Sequence, residues 1–126
     1  MGEKIKSFTD LIAWKEAHNV VLAIYKITKE FPREEMFGLV SQMRRCSVSI
    51  SSNIAEGFSR KSKNEKTQFY HIALGSITEL QNQLLIARDL NYLDKEIFLK
   101  IAELTVRVSK LINGLIKSSV DHIPNT

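Results

Sequence analysis

Gln42-Met-Arg-Arg-Cys-Ser-Val-Ser-Ile-Ser-Ser-Asn-Ile-Ala-Glu-Gly-Phe-Ser-Arg60 makes sense only when wound into a helix. Met36, Leu39, Met43, Ser47, Ile50 and Ile54 then recur at three- and four-residue steps along one face, the period of a core-facing stripe. About a quarter-turn away runs a polar line of Gln42, Arg45, Ser49, Asn53, Glu56 and Arg60. The third face is mostly small: Ser41, Val48, Ser51, Ser52 and Ala55. A core explains the first face only. The others predict a helix with neighbours on several sides, because isolated serines favour turns and caps over helix.

The rest of the chain supplies those neighbours. Ser7 and Asp10 form a variant capping box, with Thr9 as an alternative cap, that opens a first helix. Its stripe is Leu11, Trp14, His18, Val21, Tyr25 and Thr28, widened by Ala17, Ile24 and Ile27, and it ends at Phe31 before Pro32. Trp14 and Tyr25 read as core or interface aromatics, and His18 as a packing residue. Pro32 starts the second helix, with Glu34 and Glu35 in its first turn. Ser62 and Glu65 cap a third helix whose buried face is Phe69, Ile72, Ala73, Ser76, Ile77, Leu80, Leu84 and Ala87. Gly75 and Ser76 make a notch that predicts close packing against the serine-rich second helix. Asn91 suits a left-handed turn and Asp94 the next cap.

The fourth helix spans Lys95 to Lys117, with Ile97, Ile101, Leu104, Val108, Leu111 and Leu115 at near-heptad spacing. Residues 118–126 have no periodicity and read as a disordered tail. The expected fold is therefore all-α: a single domain over residues 1–117, an antiparallel up-down-up-down four-helix bundle.

Composition bounds the function. The chain has 126 residues, 44% hydrophobic and 25% charged, enough for one core without disulfides or metal. The single cysteine, Cys46, fits a reducing cytoplasm. No apolar run approaches the ~20 residues of a membrane span. Met-Gly-Glu-Lys-Ile-Lys has neither a signal peptide's apolar centre nor, with Lys6, the myristoylation pattern. The formal charge is +4, and Arg44, Arg45, Arg60, Lys61, Lys63 and Lys66 against Glu56 and Glu65 account for all of it. Concentrated positive charge favours a polyanion such as nucleic acid; a solvated loop with helix-capping lysines is the plainer explanation.

Catalysis finds no constellation to stand on. The Glu-x-x-His pairs of di-iron bundles are missing, and one cysteine with three scattered histidines gives no zinc spacing. The five glycines form no phosphate loop. No arginine precedes His18, His71 or His122 at the spacing of helical ribonucleases, and no base stands beside the serines. Glu56 and Glu79 are acid–base candidates only if a pocket joins them to a third group such as His71. No cofactor or metal is expected. Ile12, Ala13, Val20 and Leu22, outside the first helix's main stripe, leave more apolar surface than one core needs, which points to self-association.

Leu11-Ile-Ala-Trp-Lys-Glu-Ala17, Tyr25, Phe31-Pro32, Gln42 through Gly57, Arg60, Phe69, Ile72-Ala-Leu-Gly-Ser76 and Glu79 carry a recognisable pattern. It resembles the four-helix bundle proteins encoded in intervening sequences of bacterial 23S ribosomal RNA genes, also called S23 ribosomal proteins. The accessory variability determinants of diversity-generating retroelements are similar. Cys46 stands where a small alanine-like residue is usual. The resemblance implies a homopentameric barrel of antiparallel bundles with a positive surface suited to nucleic acid and, for the retroelement relatives, a reverse transcriptase partner.

The candidate phosphate contacts are Arg60, Lys61, Lys63, Lys66, Arg44 and Arg45. The candidate oligomer interface is Gln42, Arg45, Ser49, Asn53 and Glu56. The expected function is a non-enzymatic, oligomeric RNA- or DNA-binding protein. The alternative is an adaptor whose second-helix polar line docks a partner protein.

Overall fold

The computed structural model describes residues 4–121. Among them all regular structure is helical: α1 (Ile12–Thr28), α2 (Leu39–Ser59), α3 (Lys63–Asp89) and α4 (Lys95–Asp121), with single 3-10 turns at Phe8–Asp10 and Arg33–Glu35. Each helix packs on its chain neighbour and α4 returns to α1, so the four close around one core as a bundle. Val20, Ile24, Met43, Ile50, Ile54, Ile77, Leu80, Leu84, Val108 and Ile112 fill it. The α2–α3 interface is the most extensive.

Three of the expected helix ends form as the side chains require. Ser62 Oγ accepts the N–H of Glu65 at 3.1 Å and starts α3. Asn91 adopts φ 63° and turns the chain out of α3. Asp94 Oδ1 accepts the N–H of Ile97 at 2.8 Å and starts α4. The Ser7–Asp10 box also forms, but it closes the 3-10 turn, and α1 begins beyond it at Ile12.

Other boundaries differ from the sequence reading. The second helix starts at Leu39, not Pro32. After Pro32 the chain makes one 3-10 turn, and the Glu35 carboxylate folds back to accept the Leu39 N–H at 3.2 Å, capping α2 itself. Met36 is therefore outside the helix and exposed instead of beginning the core stripe. The fourth helix continues to Asp121, so 118–121 are helical where a disordered tail was expected; 122–126 lie outside the described residues.

The buried stripe of α1 is shifted in part from its expected place. Leu11, Ala17, Ile24 and Thr28 face the core as expected. Ala13 and Val20, expected as surplus apolar surface, join them and leave only Ile12 and Leu22 of that surplus exposed; Trp14 is at the edge, and His18 and Tyr25 are exposed. Alanines permit the closest helix approach, and the large amphipathic rings move to the groove edges where their polar tips reach solvent. Trp14 there stacks on His18 at 4.8 Å and meets Phe8 edge-on at 5.4 Å. On α4, Phe98, Ile101, Thr105, Val108 and Ile112 are buried while Ile97 is exposed; on α3, Ile72 is exposed and Tyr70 and Gln83 are buried.

Candidate functional site

It is Cys46 and, from the polar line, Ser49, and not the small face of Ser41, Val48, Ser51, Ser52 and Ala55, that pack on α3, where Ser76 receives them. Ser49 Oγ and Ser76 Oγ share a hydrogen bond of 2.8 Å, and the Cys46 thiol donates to the Ser76 carbonyl at 2.9 Å. Asn53 Nδ2 donates to the Ser49 carbonyl at 2.8 Å and to its hydroxyl at 3.1 Å. These bonds let low-propensity serines stay helical. Gly75 has no part in this: a Cβ there would meet nothing within 4 Å. The glycine that does permit close approach is Gly57, whose Cβ would fall 2.6 Å from the Tyr70 ring.

The polar line is thus divided. Ser49 and Asn53 are half-buried and bonded within the protomer, whereas Gln42, Arg45 and Glu56 are exposed. Gln42, Arg45, Cys46, Ser49, Ser76 and Glu79 line a cavity of about 260 Å³ between α2 and α3. Burial, reinforced by the Glu79 carboxylate, pushes the Cys46 thiol up to about 12, so it stays protonated and is a poor nucleophile. Gln83 Nε2 donates to Glu79 Oε2 at 3.4 Å, while the buried Gln83 Oε1 has no partner.

The six candidate phosphate-binding cations separate into two groups. Arg44 and Arg45 lie at the start of α2 and Arg60 to Lys66 at its end, about 22 Å apart for the fifteen-residue helical rise from Arg45 to Arg60. Arg44 is tied to α1: its Nε donates to Thr28 Oγ1 at 3.0 Å and its guanidinium lies 4.7 Å over the Tyr25 ring. Arg60 pairs with Glu56 at 3.0 Å and sits 4.7 Å over Phe69.

Lys66 points inward. Its Nζ donates to the Phe58 carbonyl at 2.7 Å and approaches Phe58's ring at 5.4 Å, capping the C-terminal end of α2. Burial lowers its pKa, a sign of the solvation it gives up there. Lys61 is exposed and Lys63 half-buried, and neither forms an ion pair among the described residues. Two of the four cations in this turn are therefore already committed to protein contacts.

Glu56 is engaged with Arg60 and Glu79 with Gln83. Among the described residues no three His, Cys, Asp or Glu side chains gather as a metal ion would need. No helix there is long and apolar enough to cross a membrane. Sequence reasoning missed a different feature, the loop tip Met36-Phe37 beside a cavity of about 570 Å³ between α1 and α2. Gly38 directly after an aromatic, at a broken helix start, was the available signal.

Comparison with known proteins agrees with this architecture. A structure of a protein of unknown function from the S23 ribosomal protein family of Bacteroides thetaiotaomicron superposes with a TM-score of 0.78 at 22% identity, covering 84% of this chain and 96% of that one. That likeness shows the fold. No curated protein matches. The family model for the 23S rRNA-intervening sequence protein matches residues 9–114. The chain, a four-helix bundle over that whole span, belongs to the 23S rRNA-intervening sequence protein family.

Proposed function

We propose that this chain is a non-enzymatic, self-associating protein that binds the phosphate backbone of RNA or DNA. The supporting observation is the charge: the whole formal excess of +4 lies between Arg44 and Lys66, with Lys61 and Lys63 uncommitted in the turn between α2 and α3. Arg60 joins them at small cost, because its pair with Glu56 is solvent-exposed, and such pairs contribute about 0–1 kcal/mol. Arg45 is a second, separate contact; Lys66 and Arg44 act through the fold. Antiparallel bundles arranged as a homopentamer, the assembly implied by family resemblance, would repeat the basic turn on each copy and raise affinity through multivalency. A reverse transcriptase is the first protein partner to test, on the likeness to retroelement accessory proteins. A cytoplasmic setting suits the reduced Cys46.

The adaptor reading has one observation of its own: the α2–α3 cavity, where Gln42, Arg45 and Glu79 offer hydrogen bonds to a partner. Replacing Arg60, Lys61 and Lys63 with alanine separates the two readings. Loss of oligonucleotide binding with helicity and solution mass unchanged supports the nucleic-acid function. Unchanged binding of the triple variant rejects this basic turn as the contact.

A further inference from the structure

A second cavity, of about 380 Å³, lies where the end of α1 meets the start of α2, and three cations line it: Lys29, Arg33 and Arg44. No carboxylate does. Glu30, Glu34 and Glu35 belong to the same stretch of chain but are not among its walls, and the Glu35 carboxylate is engaged by the Leu39 N–H and the Tyr92 hydroxyl. None of the three cations forms an ion pair among the described residues. A cation at the C-terminal end of α1 suits the helix dipole, which accounts for Lys29 but not for Arg33 or Arg44.

Arg44 is held ready. Its Nε donates to Thr28 Oγ1 at 3.0 Å, and the buried Thr28 hydroxyl donates onward to the Ile24 carbonyl at 2.6 Å. One face of the guanidinium lies over the Tyr25 ring. These contacts fix the group through Nε and that face alone. Its two terminal nitrogens have no hydrogen-bond partner among the described residues, so a fork suited to two phosphate oxygens is oriented in advance. A group fixed in this way loses little freedom on meeting an anion.

Charge and size narrow the ligand. Three cations exceed the single charge of a backbone phosphodiester and suit a phosphomonoester, which carries about −1.5 to −2 at pH 7. The volume falls within the roughly 300–1,000 Å³ of small-molecule sites, more room than a phosphate group alone fills. Phe31, Pro32 and Met36 supply apolar wall for a flat organic body. We infer that this cavity binds a nucleoside 5′-monophosphate, free or as the 5′-phosphorylated end of a strand. Arg44, Arg33 and Lys29 take the phosphate, and the base lies against Pro32 and Met36. The site is at the opposite end of α2 from the basic turn and does not depend on that turn binding nucleic acid.

The test is isothermal titration calorimetry of the full chain at low ionic strength with the common nucleoside 5′-monophosphates, the matching nucleosides and inorganic phosphate. A nucleotide should bind, with the nucleoside and inorganic phosphate each weaker by about tenfold or more. Arg33→Ala and Arg44→Lys should each weaken the nucleotide about tenfold with circular dichroism unchanged. Arg33 is exposed, so its variant tests the site even where Arg44→Lys disturbs the fold. Replacing Arg60, Lys61 and Lys63 with alanine should leave nucleotide binding intact. In that background, tighter binding of a 5′-phosphorylated oligonucleotide than of its 5′-hydroxyl twin assigns the strand end, and equal binding assigns the free nucleotide. Absence of nucleotide binding overturns this site and leaves the basic-turn reading standing. Inorganic phosphate as tight as the nucleotide, nucleotide binding that survives Arg33→Ala, or its loss in the basic-turn variant also overturns the site.

Discussion

Gly57 and Gly75 both interrupt helical sequence and act in opposite ways. Gly57→Ala forces a methyl to within 2.6 Å of Tyr70 and 3.2 Å of the Lys66 carbonyl. It should cost about 1–3 kcal/mol by overpacking, read as a lower urea midpoint. Gly75→Ala meets open space in mid-helix and should stabilise by about 0.5–1 kcal/mol in the same measurement. Asp10 makes a prediction about pH. Hydrogen bonds from the N–H groups of Lys6 and Ser7 hold its carboxyl below the ordinary 3.8. The folded state therefore gains stability that is present above that pH and lost as pH falls through the lowered value. Asp10→Asn should remove this contribution, so thermal melting of the variant and the parent should converge in acid.

At the scale of elements, the connection from Phe31 to Leu39 organises one end of the bundle. Tyr92→Phe removes the hydroxyl bond to Glu35 and should lower the midpoint of chemical denaturation, with helix content unchanged. A double-mutant cycle of Ser49→Ala and Ser76→Ala should show coupling of about 0.5–1 kcal/mol, since the two hydroxyls bond each other across α2–α3.

These elements also mark what a single sequence discloses. Ser62, Asn91 and Asp94 announced their helix ends because capping is local chemistry, complete within four residues. The start of α2 was hidden because its cap is Glu35, whose other oxygen answers to Tyr92, 57 residues away. The α1 register was misplaced because periodicity gives several faces equal claim. The choice brought in Ala13 and Val20, which pack against a neighbour the sequence does not identify. Of the candidate site, Lys61 and Lys63 were legible as charge. The inward turn of Lys66 was not, since it depends on where the α2 carbonyls end up.

For the whole molecule, the formal net charge is concentrated along α2 and the turn that follows it. The exposed charged groups in that turn are cations suited to phosphate, so binding should be governed by phosphates and counterion release. The most direct test is a salt titration of wild-type binding to a short duplex by fluorescence anisotropy. With Arg60, Lys61 and Lys63 each neutralising one phosphate, at about −0.9 per phosphate, the log–log slope should be about −2.7 per protomer engaged. Absence of binding at low ionic strength, or binding indifferent to salt, would contradict the nucleic-acid function.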